Sequence, residues 1–300
     1  MAVYDKYTGF LRRIKVLYLV HNVLNIKYLK INKTLYKRFG LKRSTWISLS
    51  SKHFLGLPNK EVQYVSKNES WERDGYIKLE GHFDIKFIEQ LNEDVANGLE
   101  SKTIDFNYTG KKILFAYEKI PLLKEVITDA LILSILEELV GHEVLPFQSI
   151  NFQYGSEQVA HSDSVHMATY PSGGLVAIWV ALDDIVEDNG PLFYYPGSQK
   201  LPYATNADIG NSTGWLLSPN PNKNYENYLA SIIQEKGLKK EVLSAKKGDV
   251  FVWHANLLHG GMPHLDKSKT RRSMVVHYFI KDRICYHELS QRPAVVKGIF

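Results

Sequence analysis

The 300-residue sequence has a single cysteine, Cys285, and no run of 18 uncharged apolar residues. One cysteine excludes an intrachain disulfide and fits a reducing compartment, so we expect a cytoplasmic protein. Without a long apolar run, no membrane-spanning helix is expected. Zinc-finger spacings and RNA-binding signatures are also missing, so nucleic acid is not an expected partner. Internal repeats and low-complexity tracts are absent as well.

Acidic residues are scarce at the front of the chain. Residues 1–60 contain thirteen Lys or Arg and one acid, Asp5, which gives a net charge of +12. Residues 61–300 contain 24 basic and 31 acidic residues, a net charge of −7. This asymmetry predicts a basic, partly helical N-terminal segment over 1–60 that meets a polyanionic surface.

Two interpretations of this basic segment stay open. Within residues 10–39, apolar residues recur at helical spacing between Lys and Arg. Such a helix packs on the protein's own core, or it lies on an anionic membrane, where residues 1–43 would give peripheral contact at the inner face. A secretory signal is not expected, because Lys15, His21 and Asn22 interrupt the apolar centre.

The remaining sequence predicts a mainly β fold with flanking helices. Composition is ordinary for a globular protein, with 44% hydrophobic and 23% charged residues. Helices are expected from Asp84 to about Leu99 and over 122–140, and short strands follow. This order favours an α+β architecture with a barrel or double-sheet core over residues 61–300. An Asn-rich insertion over 203–240 interrupts the strands, with one helix expected near 225–236.

His161 and Asp163 form an H-x-D pair in this strand-rich region. In a strand, residues i and i+2 point to the same face, so an imidazole nitrogen and a carboxylate oxygen can meet one metal ion. Two other H-x-D pairs are better explained by a helix cap (82–84) and a turn (264–266). The third candidate ligand is His259, which is followed by two glycines. Arg271 begins a later strand and could hold a carboxylate through two parallel hydrogen bonds, whereas Arg272 would face the opposite way.

The order of these motifs resembles one known family. The segments HSD (161–163), NGPLFYYPGSQK (189–200), GDVFVWHANLLHGG (248–261) and RRSMVVHYF (271–279) resemble the phytanoyl-CoA dioxygenase family of Fe(II)/2-oxoglutarate-dependent oxygenases. The segments DGYIKL (74–79) and IWVALDD (178–184) extend the similarity, which covers about residues 70–284.

The resemblance implies a fold and a set of site residues. The implied core is a double-stranded β-helix of the jelly-roll or cupin-like type. The implied iron ligands are His161, Asp163 and His259. The implied 2-oxoglutarate contacts are Arg271, Trp179 and Asn151. Gly261 departs from those members that have a small hydroxyl residue at its position.

The implied activity is that of a dioxygenase. Its cofactors would be Fe(II), 2-oxoglutarate and O₂, and an aliphatic C–H of a small-molecule or lipid/glycolipid substrate would be hydroxylated. Related halogenases lack the carboxylate that Asp163 supplies, which favours hydroxylation, desaturation or ring closure. Acyl-CoA is a third substrate class. The alternatives are a metal-dependent isomerase or hydrolase, or a non-catalytic binding module of the same fold recruited to an anionic membrane.

Overall fold

The computed structural model describes residues 68–210, 220–281, 283–289 and 292–293. The predicted basic segment 1–60 lies outside these residues, and so do residues 211–219 of the predicted insertion. Within the described ranges, no helix has both the length and the apolar character that crossing a bilayer requires.

Helices dominate the first part of the described chain and strands the second. The α-helices are α1 (Glu69–Asp74), α2 (Ile85–Glu100), α3 (Pro121–Ile127), α4 (Ala130–Val140) and α5 (Pro221–Glu235). The strands are β1 (Tyr76–Leu79), β2 (Ile113–Leu114), β3 (Val144–Phe152), β4 (Ala168–Tyr170), β5 (Leu175–Ala181), β6 (Leu192–Tyr194), β7 (Glu241–Val242), β8 (Val250–His254), β9 (His259–Gly261), β10 (Ser273–Ile280), β11 (Ile284–His287) and β12 (Arg292–Pro293).

The strands form one large and two small antiparallel sheets. The large sheet has the order β1-β8-β5-β10-β3-β2, and the small sheets have the orders β7-β6-β9 and β12-β11-β4. Apart from β2 and β3, neighbouring strands of the large sheet are not consecutive in the chain, so the chain crosses repeatedly between sheets. This topology is the double-stranded β-helix that the resemblance implied, with α2, α3 and α4 on one outer face.

The large sheet is buried on both faces, which explains why strand β5 is buried at every position. One face packs on α2, α3 and α4 through a cluster that includes Val180, Val250 and Met274. The other face packs on β6 and the segment after β7 through a cluster that includes Trp179, Phe251 and Val275. Cross-strand partners share a face, so the register assigns each residue of the sheet to the helix side or the inner side.

Two sequence expectations about the helices have different outcomes. Helix α2 begins where predicted, because the Asp84 carboxylate accepts a hydrogen bond from the Lys86 N–H at 2.8 Å. The single helix predicted over 122–140 is wrong, since the chain breaks between α3 and α4. Asp129 causes the break: its carboxylate accepts from the Ile132 N–H at 2.8 Å and caps a new helix.

Candidate active site

A cavity of about 230 Å³ opens between the large sheet and the β7-β6-β9 sheet. Its wall combines apolar side chains from β3, β5 and β10 with His161, Asp163, His259 and Arg271. The fold therefore brings together the three predicted metal ligands and the predicted cosubstrate arginine, although 110 positions separate the first of them from the last.

The two histidines of the triad are held by their own backbones. His161 and His259 form an isolated antiparallel bridge, with N–H to carbonyl distances of 2.9 Å in both directions. His161 Nδ1 lies 2.9 Å from the Val159 carbonyl, and His259 Nδ1 lies 3.0 Å from the Leu257 carbonyl. A carbonyl can only accept, so each Nδ1 carries the proton and each Nε2 offers a lone pair, as a metal ligand must.

One carboxylate oxygen of Asp163 faces these two imidazoles, and the other faces Trp253 and His277. Its Oδ1 lies 4.0 Å from His161 Nε2 and 3.8 Å from His259 Nε2. Its Oδ2 accepts from the Trp253 indole N–H at 2.8 Å and lies 3.4 Å from His277 Nε2. Burial opposes the charged form, but the surrounding imidazoles outweigh it and hold the pKa of Asp163 below its usual range.

The three ligand atoms lie within 4.8 Å of one another, which is the spacing of groups around a single ion. Burial, helped by the nearby His259, keeps the pKa of His161 well below its ordinary value, so this imidazole is neutral and able to bind metal. Two imidazoles and one carboxylate form the facial triad of non-haem iron sites. The donor set therefore fits Fe(II).

The local structure that presents the H-x-D pair differs from the strand expected from its spacing. His161 belongs only to the isolated bridge, and Asp163 begins a 3₁₀ turn, Asp163–Val165. The two ligands converge because the chain turns sharply between them, and not because a strand alternates its side chains.

Arg271 lies in the cavity wall without a carboxylate. Its side chain is 3% exposed, its Nη1 donates to Ser273 Oγ at 2.7 Å, and its Nε has no partner among the described residues. Burial lowers the pKa of Arg271 to about 10, so the guanidinium remains charged at neutral pH. A buried cation that no acidic side chain of the described chain neutralises is well suited to an anionic ligand such as a 2-oxoglutarate carboxylate.

Trp179 stands directly beside this arginine. The Arg271 guanidinium lies 5.1 Å from the centre of the indole ring, a cation–π contact in a buried setting. Both side chains line the cavity. Arg272 faces away, as expected, and pairs with Asp183 at 2.6 Å.

The structure does not bring Asn151 to the cavity. Asn151 pairs with Met274 on β10, and Met274 belongs to the cluster on the helix side of the sheet. Its strand neighbours Ile150 and Phe152 face the cavity instead. The two-residue period of a strand therefore places the Asn151 amide on the opposite face, where neither of its polar atoms has a partner in the described part of the chain.

Several polar residues of the cavity wall were not predicted from the sequence: Lys112, Gln148, Gln158 and His277. Gln148 could have been found from strand alternation, since it shares a face with Ile150. Lys112 could not have been found in this way, because two adjacent lysines, Lys111 and Lys112, are typical of a solvated surface. Burial lowers the pKa of Lys112, and the charge of Asp163 partly offsets this effect.

The space beside Gly261 is already filled. A Cβ at this position would lie 2.8 Å from Ser156 Oγ and 2.9 Å from the Glu157 N atom. Ser156, which also lines the cavity, thus packs against the strand where some family members have a hydroxyl residue. Where some family members have a hydroxyl residue, this chain has Gly261, and residues 156–157 lie close to its backbone.

A double-stranded β-helix that brings a His-Asp-His triad and an arginine without a carboxylate partner among the described residues into one cavity is the arrangement of non-haem Fe(II)/2-oxoglutarate-dependent oxygenases. The family model described as phytanoyl-CoA dioxygenase matches residues 71–273. This chain belongs to that family, which confirms the resemblance seen in the sequence.

Two curated relatives carry the family name. A Danio rerio protein, phytanoyl-CoA dioxygenase domain-containing protein 1, is 36% identical over 143 residues, which are 43% of this chain and 48% of that protein. The match therefore spans about half of the relative's length. An Arabidopsis thaliana phytanoyl-CoA dioxygenase is 23% identical over 225 residues, or 73% of each chain.

Solved structures of similar fold support the architecture. EctD from S. alaskensis in its apoform has a TM-score of 0.60 at 22% identity, covering 80% of this chain and 86% of EctD. The non-haem α-ketoglutarate-dependent carbocyclase SnoK from nogalamycin biosynthesis has a TM-score of 0.60 at 14% identity, covering 78% of this chain and 90% of SnoK. At these identities the likeness concerns the fold.

Proposed function

We propose that this protein is an Fe(II)- and 2-oxoglutarate-dependent dioxygenase that hydroxylates an aliphatic C–H bond of a small-molecule substrate. The observation that carries the proposal is the position of Arg271, a buried cation without an acidic partner in the described chain, in the same cavity as the metal triad. A metal-dependent hydrolase or isomerase would need the triad but would have no use for this arginine.

His161, Asp163 and His259 would hold the iron. Each Nδ1–H is committed to a backbone carbonyl, and Asp163 Oδ2 is committed to Trp253. One nitrogen or oxygen of each ligand thus remains for the metal, and three protein ligands leave coordination positions for the cosubstrate and O₂. When bound, the iron and 2-oxoglutarate supply the oxidising chemistry.

Arg271 would bind the carboxylate of 2-oxoglutarate that is remote from the metal. The guanidinium offers a charge-assisted contact in a dry site, where such a pair is stronger than in water. Trp179 stacks on the guanidinium and limits its rotation. The apolar side chains of Ile150, Leu192 and Val275 exclude water from the same wall.

In the balanced reaction, one C–H bond of the substrate becomes C–OH and 2-oxoglutarate becomes succinate and CO₂. O₂ provides one oxygen atom to the alcohol and one to succinate. No protein residue is consumed, so the protein contributes binding, orientation and exclusion of water.

The substrate is the open part of this function. A cavity of about 230 Å³ that also receives 2-oxoglutarate admits only the reacting portion of a substrate. A lipid or glycolipid, whose remaining parts stay outside, fits this limit, and so does a small free metabolite. The net charge of +12 over residues 1–60 supports the lipid interpretation, since these residues would bring the enzyme to an anionic surface.

The first test is succinate formation by the purified full chain with Fe(II), 2-oxoglutarate and O₂, without added substrate. We expect slow turnover that disappears in Asp163→Ala and Arg271→Ala and persists in Arg272→Ala. An absorption band that needs both Fe(II) and 2-oxoglutarate should accompany it. If neither succinate nor this band is observed, the oxygenase proposal is wrong and the non-catalytic binding module becomes the better interpretation.

The membrane contact has a separate test. The full chain should sediment with anionic phosphatidylserine vesicles more than with neutral phosphatidylcholine vesicles. Exchange of Arg12, Arg13 and Lys15 for Gln should reduce this binding and should leave succinate formation unchanged. Equal sedimentation with both kinds of vesicle would exclude an electrostatic contact.

A further inference from the structure

Helix α5, which lies in the insertion over 203–240, packs against the back of the metal site. Its buried residues Tyr225 and Leu229 belong to an apolar cluster with Val165 and Leu258. Val165 follows the ligand Asp163 by two positions, and Leu258 directly precedes the ligand His259. The insertion therefore supports both segments that carry the metal ligands.

Within this contact, one hydroxyl reaches the residue between two ligands. The Tyr225 hydroxyl lies 2.9 Å from the Ser162 N atom and 2.9 Å from Ser162 Oγ. Ser162 stands between His161 and Asp163, at the point where the chain turns. Tyr225 and Ser162 are each 2% exposed, so water does not replace these bonds.

The hydrogen bonds continue from Ser162 to the segment before His259. Ser162 Oγ lies 2.9 Å from Ser164 Oγ, and Ser164 Oγ donates to Asn256 Oδ1 at 2.9 Å. Asn256 is anchored in turn, because its Nδ2 donates to the Leu201 carbonyl at 2.6 Å. The chain of bonds thus links the H-x-D turn with the segment that leads into β9.

The direction of donation follows from these contacts. The Ser164 hydroxyl donates to Asn256, so its oxygen accepts from the Ser162 hydroxyl. The Ser162 hydroxyl donates to Ser164, so its oxygen accepts from the Tyr225 hydroxyl. The tyrosine therefore donates its O–H to the Ser162 hydroxyl and accepts the Ser162 N–H. Burial raises the pKa of Tyr225 to about 12, which keeps this proton in place.

We propose that Tyr225 is a positioning residue for the metal centre: its buried hydroxyl fixes Ser162, and thereby holds His161 and Asp163 in the geometry that binds the metal. The inference rests on the metal site of the proposed function but not on the reaction. In this proposal, helix α5 of the insertion stabilises the two segments that carry the metal ligands.

The test measures metal binding directly. Co(II) is titrated into the metal-free full chain, and its visible absorption gives both the dissociation constant and the coordination geometry. We expect Tyr225→Phe to weaken Co(II) binding about tenfold or more, as is usual when a group that orients metal ligands is lost. The intensity of the Co(II) bands should change as well, since the ligands no longer converge in the same way.

Tyr228→Phe is the matched control. Tyr228 lies on the same helix and packs on the same apolar cluster, but its hydroxyl is not part of the chain of bonds. This variant should bind Co(II) like the wild type and show its spectrum. If Tyr225→Phe also keeps the wild-type dissociation constant and spectrum, the positioning role is refuted and Tyr225 only packs.

Ser162→Ala provides a second variant if Tyr225→Phe does not fold. It keeps the backbone N–H bonded to Tyr225 but cuts the link to Ser164 and Asn256. We expect weaker Co(II) binding with altered bands, and unchanged binding would refute the proposal. A wild-type protein that binds Co(II) but shows neither succinate formation nor the absorption band that needs Fe(II) and 2-oxoglutarate would overturn the proposed function and leave the role of Tyr225 intact.

Discussion

The indole N–H of Trp253 donates to Oδ2 of Asp163 at 2.8 Å, and it thereby decides which carboxylate oxygen remains for the metal. Trp253 is itself 1% exposed and lies on β8, between β1 and β5 in the large sheet. The rigid sheet thus orients a ligand that is carried by an irregular turn. His259 packs beside the same indole, with ring centres 4.8 Å apart.

Trp253→Phe should therefore weaken metal binding. The substitution keeps an aromatic ring but removes the donor, so the carboxylate of Asp163 can rotate and loses part of its orientation. We expect Fe(II) or Co(II) affinity to fall about tenfold or more. Trp179→Phe is the control, because Trp179 contacts Arg271 and not a metal ligand. Equal metal affinities in both variants would contradict this role of Trp253.

Arg271→Lys should impair 2-oxoglutarate binding while it preserves the charge. Lysine cannot form two parallel bonds to a carboxylate, so we expect the KM for 2-oxoglutarate to rise about 10- to 100-fold. The measurement is succinate formation against 2-oxoglutarate concentration. Arg272→Lys is the matched control, since the neighbouring arginine pairs with Asp183 outside the cavity. A similar KM in the two variants would show that Arg271 does not hold the cosubstrate.

Much of the site could be predicted because its chemistry depends on residue type and order. A short motif indicated His161 and Asp163, the resemblance to the family indicated His259 and Arg271, and the structure brings these four residues together. The strands β3, β5 and β10 begin where the β-branched and aromatic residues begin. The periodicity of a strand is a local property, so the start of each of these strands could be predicted from the sequence.

The parts that failed depend on contacts between distant segments. Asn151 was assigned to the cavity, but only its pairing with Met274 reveals that it faces the helices. The role of Tyr225 depends on a contact across 63 positions, which no local pattern encodes. The break at Asp129 was missed because the apolar spacing continues through it, although a capping carboxylate was visible.

Gly261→Ser should destabilise the protein and should not improve cosubstrate binding. The new Cβ would lie 2.8 Å from Ser156 Oγ and 2.9 Å from the backbone N of Glu157, and backbone cannot move aside as a side chain can. Overpacking of this kind costs about 1–3 kcal/mol. Thermal denaturation and the KM for 2-oxoglutarate check both effects. Gly261→Ala should cause a similar loss of stability, since the Cβ alone makes the clash.

The buried His254 predicts how stability depends on pH. Its ring is 6% exposed, its Nδ1 accepts from the Asn256 N–H at 3.0 Å, and burial lowers its pKa to about 3. In the unfolded chain the pKa returns to about 6.5, so below that pH the unfolded state binds one more proton. His254 therefore contributes its full stability above pH 6.5, and this contribution is lost as the pH falls towards 3.

His254→Gln should flatten this decline. The variant carries no titrating ring, so the fall in unfolding free energy between pH 6.5 and 4 should be smaller, by up to about 1.4 kcal/mol per pH unit. Urea denaturation of the metal-free protein at several pH values measures the slope. His142→Gln is the control, because His142 is exposed and should leave the slope unchanged. A slope in His254→Gln equal to that of the wild type would mean that protonation of His254 is not coupled to unfolding.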